Sequence, residues 1–273
     1  MSTTIPNAEQ IVQASRTARV PSQMTPKHVF LLSSGRMSFY LAAAEQTGER
    51  RVRIAEAQVE DVNIPSLRVL ELGLQGLGNS VAELLSSLSG ADAAILAIDY
   101  ASKLRVRVNG LGKFRDGRLH LEVEESFGNC NQYISLPQQD SEAEKAFARA
   151  ATPVKDAVKL KAAERERIQG ARRFIFASAS ARGADVSHRG GEAGFVKAGE
   201  SEIVFPDYPG NNMFATLGNL LEDGRCALLF PAYGDGRSLQ VAGRARVEKS
   251  TSDNIDLDTG RSIRVTIEHV IEE

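Results

Sequence analysis

Residues 185–191 read DVSHRGG and residues 207–212 read DYPGNN, and these two stretches hold the side chains best suited to gripping an anion. Arg189 offers a planar fork of N–H donors that matches a phosphate in a bidentate way. Gly190 and Gly191 would let a planar ligand approach the backbone. After Asp207 and Tyr208, the pair Asn211 and Asn212 opens an expected helix over 212–222. A helix N-terminus presents unpaired backbone N–H groups, which favour a phosphate or carboxylate. Thr216 and Asn219 follow within that helix, and Ser187 and His188 flank Arg189, so each could add a hydrogen bond. The bland reading stands beside this one: Asn211 is a good N-cap and needs no ligand to explain it.

Other chemistries find less support. His188 could serve as a general base, but no acid partner accompanies it to complete a Ser-His-Asp arrangement. There is no HxxxH or CxxC spacing, so no metal site is expected. Cys226 lies in an apolar run and is read as a packing residue. Cys130 lies in the polar stretch SFGNCNQYI, where no neighbouring cation would activate its thiol.

The 273-residue chain carries a net charge of −2, with 42% hydrophobic and 25% charged residues. That balance gives no general electrostatic case for nucleic acid or for an acidic membrane surface. Apolar runs such as AAILAI (93–98) are strand-length, too short to span a bilayer. A polar N-terminus and two unpaired cysteines suggest a cytoplasmic setting.

The elements that must position these residues occur twice. GLGNSVAELLSSL (76–88) resembles YPGNNMFATLGNL (208–220), and AAILAIDYASKLRVRVNG (93–110) resembles CALLFPAYGDGRSLQVAG (226–243). SFYLAAAEQTGERRVRI (38–54) likewise resembles RFIFASASARGADVSHR (173–189). The three blocks keep their order and are displaced by 132 to 135 residues, which sets Asn79 against Asn211 and Gly110 against Gly243. The expected organisation is an N-terminal arm (1–27), a first domain (28–136), a helical linker (137–170) and a second domain (171–273). Within each copy, short alternating segments surround one helical segment, without the regular strand–helix alternation of a parallel sheet. The fold class is therefore mainly β: two tandem antiparallel barrels of about six strands and one helix each. GDGR (234–237) reads as a hairpin turn, and Pro153, preceded by Thr152, reads as the start of a second linker helix.

DVSHRGGEAGFVK, FPDYPGNNMFATLGNLLEDGRCALLF and LQVAGRARV resemble the pyridoxamine 5'-phosphate oxidase-like family of split β-barrels. LRVRVNG (104–110) and ESFGNCNQYI (125–134) are similar to members with two barrels in tandem. The resemblance implies FMN between two barrels packed as an internal pseudo-dimer, and a homodimer remains an expectation beyond that. It carries cofactor contacts onto Ser187, His188, Arg189, Gly190, Asp207, Tyr208, Asn211, Asn212, Thr216 and Asn219. Two departures stand out. Asn211, Asn212 and Met213 replace the family's basic clamp, which leaves Arg189 and helix N–H groups to hold a phosphate. The chain lacks Trp and ends in EHVIEE, which argues against pyridoxamine phosphate itself as substrate. The first copy, with GLGNS and VRIAEAQ at the matching places, is read as a degenerate partner supplying a wall.

The leading expectation is an FMN-dependent oxidoreductase acting on a small molecule, with His188 as the candidate proton-handling residue. In such a protein the flavin carries the redox chemistry, so no protein nucleophile is required. The alternatives are a non-catalytic carrier or sensor for flavin, deazaflavin or haem, and a barrel that has lost its cofactor.

Overall fold

The computed structural model describes residues 7–18, 20–44, 51–75, 79–86, 88–128, 132–134, 157–210, 213–231, 238–250 and 259–272. Asn211, Asn212, Cys130, the GDGR turn and the Thr152–Pro153 helix start lie outside these residues.

Two antiparallel sheets make up the molecule. The first contains β1 (Ser38–Ala44), β2 (Val52–Ser66), β3 (Val69–Gln75), β4 (Ser89–Asp99), β5 (Leu104–Arg115) and β6 (Arg118–Gly128). It closes in the order β1-β2-β3-β6-β5-β4, with β4 paired back to β1. The second contains β7 (Arg173–Ser180), β8 (Gly183–Gly190), β9 (Lys197–Ala198), β10 (Glu202–Pro206), β11 (Arg225–Phe230), β12 (Leu239–Lys249) and β13 (Arg261–Glu272). Its order is β8-β7-β11-β12-β13-β10-β9. Reading β7 as β1, β8 as β2 and β10 as β3, the two sheets share one cyclic order. The second is open between β8 and β9, where the first runs directly from β2 into β3.

The repeat is visible at single residues. The register of β5 on β6 shifts at Asn109/Gly110, and that of β12 on β13 shifts at Ala242/Gly243. A side chain at Gly110 would overlap the Glu122 carbonyl oxygen, and one at Gly243 would overlap that of Thr266. Both glycines admit the neighbouring backbone at a β-bulge, and both fall at the matched repeat position.

Strand faces explain the long apolar runs. In β4, Ala93, Ile95 and Ala97 fill the first barrel, while Ala94, Leu96 and Ile98 face the second. In β7, Phe174 and Phe176 fill the second barrel, while Ile175, Ala177 and Ala179 face the first. A strand buried on both faces loses the polar alternation of a half-solvated one. The layer between the barrels is rich in alanine, including Ala42, Ala94, Ala177 and Ala242, so the two sheets pack closely over it.

The helices differ from expectation in two places. The second barrel's helix, α5 (Ala215–Glu222), starts later than the expected 212–222, and its N-cap is Phe214 in the left-handed region (φ 53°) with no side-chain cap. The N-terminal arm forms α1 (Ala8–Thr17) and α2 (Pro26–Leu32); α3 (Asn79–Ser86) and α4 (Ala162–Gly170) complete the order. Asn7 and Gln10 cap α1 reciprocally, and its Ile11 is buried in the second barrel's core. Helix α1 therefore docks on the second barrel, lying against α5, while Met24, and Leu31 and Leu32 of α2, are buried in the first barrel's core. Gly218 of α5 permits this approach, since a side chain there would overlap Arg182 and Ser15.

Candidate functional site

The break in the second sheet opens onto a cleft built by both barrels. Barrel two contributes Ser187, His188, Arg189 and Gly190 from β8, Asp207 and Tyr208 from the turn after β10, and Thr216 from α5. Barrel one contributes Arg105 and Arg107 from β5, and Tyr133 from the segment after β6. Thr259 and Arg261, at the start of β13, complete the charged floor.

Asp207 organises that floor. Arg261 Nε donates to Asp207 Oδ2 at 3.1 Å, and Arg189 Nη1 lies 3.4 Å from Oδ1. Thr259 Oγ1 donates to the Asp207 backbone carbonyl at 2.5 Å. A second buried ion pair crosses between barrels, with Arg107 Nη1 donating to Asp185 Oδ1 at 2.7 Å. Thr216 Oγ1 donates to the other Asp185 oxygen at 2.8 Å, and Ser187 Oγ lies 3.4 Å from Thr216 Oγ1. Holding a buried pair this way requires additional hydrogen bonds to offset desolvation, and Thr216 supplies one.

These pairs leave donors over. Among the described residues, Arg107 Nε, Arg189 Nε and Arg261 Nη1 are buried without a hydrogen-bond partner, as are both ring nitrogens of His188. Leaving a buried polar group unpaired costs about 1–3 kcal/mol, more for a charged one. Four such side chains around one cleft form an acceptor-seeking surface. His188 stacks edge-on with Tyr100 of the first barrel, with ring centroids 6.4 Å apart. Its pKa is pushed well below the ordinary histidine value, first by burial and then by Arg105, Arg173 and Arg189. The imidazole is therefore neutral at pH 7.

Aromatic rings border the cleft. Tyr208 stacks on Tyr133 at 5.2 Å and on Phe195 at 6.3 Å. Tyr133 and Phe214, on opposite barrels, both adopt left-handed backbone (φ 61° and 53°), a conformation that costs energy in a bulky residue and clusters at functional sites.

Several sequence-derived residues take unexpected roles. Gly190 and Gly191 leave no gap for a planar ligand: side chains there would meet the Tyr133 carbonyl oxygen and the Phe195 ring. Asn219 stands apart from the cleft, bonded to Ser180 Oγ (2.9 Å) and Arg182 Nη2 (3.2 Å). Ser187, His188, Arg189, Asp207, Tyr208 and Thr216 do come together. The sequence reading missed Arg105, Arg107, Tyr133 and Arg261. The two first-barrel arginines carried a signal in LRVRVNG, where residues two apart share a strand face. Charges on an otherwise buried strand call for a partner.

Residues 160–262 match the family described as pyridoxamine 5'-phosphate oxidase. This segment spans β7 to the start of β13 and includes most of the cleft. The second barrel belongs to the pyridoxamine 5'-phosphate oxidase-like family. Solved structures align with the chain at low similarity. A histidine-to-alanine variant of HupZ from Group A Streptococcus aligns at 9% identity and a TM-score of 0.33, over 41% of this chain and 98% of its own. The FAD-binding protein from Mycobacterium smegmatis aligns at 12% identity and a TM-score of 0.31, over 43% and 97%. A putative pyridoxamine 5'-phosphate oxidase from Corynebacterium glutamicum aligns at 13% and 0.29, over 45% and 94%. No curated protein matches the sequence. No helix of the described residues is long and apolar enough to cross a membrane.

Proposed function

We propose that the chain is an FMN-dependent oxidoreductase whose cofactor lies in the cleft between the barrels, and that it acts on a small molecule other than pyridoxamine phosphate. The observation carrying this reading is the set of buried, unpaired nitrogens on Arg107, Arg189 and Arg261, converging from both barrels beside a Tyr133–Tyr208 aromatic border. The family membership of the second barrel supports a flavin as the ligand. These residues fit a phosphate monoester. Arg105 and Arg107 of the first barrel, with Arg261 of β13, supply cations in place of the family's clamp, so its loss is offset from both barrels. Arg189 joins them; Arg107 also faces Asp185, and Arg189 and Arg261 share Asp207, so each of these three keeps only part of its charge and its free N–H groups for the ligand.

When bound, the flavin would supply hydride or electron transfer. The protein's part is binding and electrostatics. The arginines hold the phosphate, and Tyr208 and Tyr133 border the ring system. Ser187 and Thr216 accept or donate hydrogen bonds, and neutral His188 offers one ring N–H donor and one acceptor nitrogen.

The test is spectroscopic, with FMN and riboflavin titrated into the purified chain and into its Arg261→Gln variant. Loss of one charge-assisted contact is worth about 1.5–3 kcal/mol, or roughly 10- to 100-fold in affinity. That loss should fall on FMN and spare riboflavin, which lacks the phosphate. Equal weakening of both ligands would remove Arg261 from the phosphate site, and no flavin uptake at all would sink the proposal. Reduction of bound flavin by a nicotinamide donor, followed by reoxidation in air, is expected of the enzyme; flavin that donors leave oxidised would make the chain a carrier or sensor.

A further inference from the structure

A second cavity of about 220 Å³ lies on the other side of Phe127, Met213 and Ala215, which it shares as a wall with the arginine cleft. The geometry points to a binding site there for a small organic cation bearing N–H groups, an alkylammonium or alkylguanidinium. Three alternate residues of β5 face the second barrel. Arg105 and Arg107 line the first cleft, and Asn109 lines this cavity.

Asn109 is only 5% exposed. Its Nδ2 donates to Glu125 Oε2 at 3.1 Å, which fixes the amide orientation, because an ionised carboxylate accepts only. The Oδ1 of Asn109 is then turned away from Glu125, and among the described residues it is buried without a partner. A buried amide oxygen in that position calls for a donor.

The charges nearby define the donor. Glu125 is partly buried, and burial raises its pKa above the ordinary value; Asp185 adds to this, while the Asn109 hydrogen bond and the Arg182 and Arg107 charges offset only part of it. A neighbouring cation would relieve both effects. Each oxygen of Asp185 already accepts one hydrogen bond, from Arg107 and from Thr216. The arginines on the outer side make their hydrogen bonds elsewhere, and Arg182 reaches Glu125 only through its charge: Arg16 pairs with Glu222 at 3.0 Å, and Arg182 pairs with the same carboxylate at 3.3 Å while donating to Ser15. The inner wall therefore presents acceptors, Asn109 Oδ1 and the Glu125 carboxylate. The cavity has room for a ligand of several non-hydrogen atoms. This site rests on its own residues and stands whether or not the neighbouring cleft takes a flavin.

The experiment uses the full chain and three probes of matched size, n-butylammonium, n-butylguanidinium and butyrate, followed by saturation-transfer NMR and calorimetry. Both cations are expected to bind saturably, and butyrate is not. Glu125→Gln should weaken the cations at least tenfold, Asn109→Leu should weaken them less, and Arg261→Gln in the first cleft should leave them unchanged. Circular dichroism would confirm that each variant is folded. Butyrate binding as well as the cations would overturn the assignment on the wild-type protein alone. So would cation affinity that is the same with and without the Glu125 carboxylate.

Discussion

His188 shows how the cleft sets the state of one side chain. Buried at β8 and flanked by Arg105, Arg173 and Arg189, it cannot take up a proton at the ordinary histidine pH. The sign of the consequence follows from linkage. The unfolded chain protonates this histidine near its ordinary pKa of about 6.5, while the folded chain does not. Its contribution to stability is thus complete above that pH and is lost as the pH falls below it. Relative to His188→Gln, the wild type should lose up to about 1.4 kcal/mol per pH unit below pH 6, measured by urea denaturation. Parallel pH profiles would show that His188 titrates normally and is not held neutral. An anion bound among the arginines would cancel part of their field, so the same residue gains proton affinity when the cleft is filled.

At the level of elements, the two bulge glycines determine where β5 and β12 bend. Each lies against a carbonyl of the adjacent strand, so Gly110→Ala and Gly243→Ala both force backbone apart. Overpacking of this kind costs about 1–3 kcal/mol, and a backbone neighbour yields less readily than a side chain. Both variants should lower Tm, with Gly110→Ala also disturbing Arg107 and Asn109, three and one residues away. A variant as stable as the wild type would show that the bulge is optional. Much of this level was legible from the chain: the repeat set Gly110 against Gly243, and strand alternation put Arg105 and Arg107 on one face. The helix start was not legible. DYPGNN looks like a cap, yet α5 begins at Ala215 behind a left-handed Phe214, whose ring lies 5.7 Å from the Arg261 guanidinium, a contact distant in sequence.

The whole molecule works as two barrels sharing an alanine-rich layer. The cleft exists only while that layer holds β5 against β8, since Arg107 and Asp185 pair across it. Ala177→Leu, which adds volume between the sheets, should cost about 1–3 kcal/mol and separate the first-barrel arginines from Arg189 and Arg261. Leu228→Ala, inside the second barrel, should cost about 2–5 kcal/mol without moving the barrels apart. The expected outcome is that FMN affinity falls in the first variant and persists in the second, despite the larger loss of stability. Retained affinity in Ala177→Leu would place the cation set within one barrel.

The sequence by itself determined the two-barrel repeat and the mainly β class, because these rest on periodicity and turn chemistry within short stretches, and the second barrel's family through the resemblance of stretches such as DVSHRGG and DYPGNN. It also marked Arg189, Asp207 and Tyr208 as neighbours of one helix start. Only the tertiary structure decided that the first barrel contributes cations to the cleft, that Asn219 is held elsewhere, and that Gly190 makes room for Tyr133 and not for a ligand. The reason is distance along the chain. Arg107 and Asp185 are 78 residues apart, and nothing local to either names the other. Their meeting depends on how two sheets pack over a layer of small side chains, a property of the whole molecule.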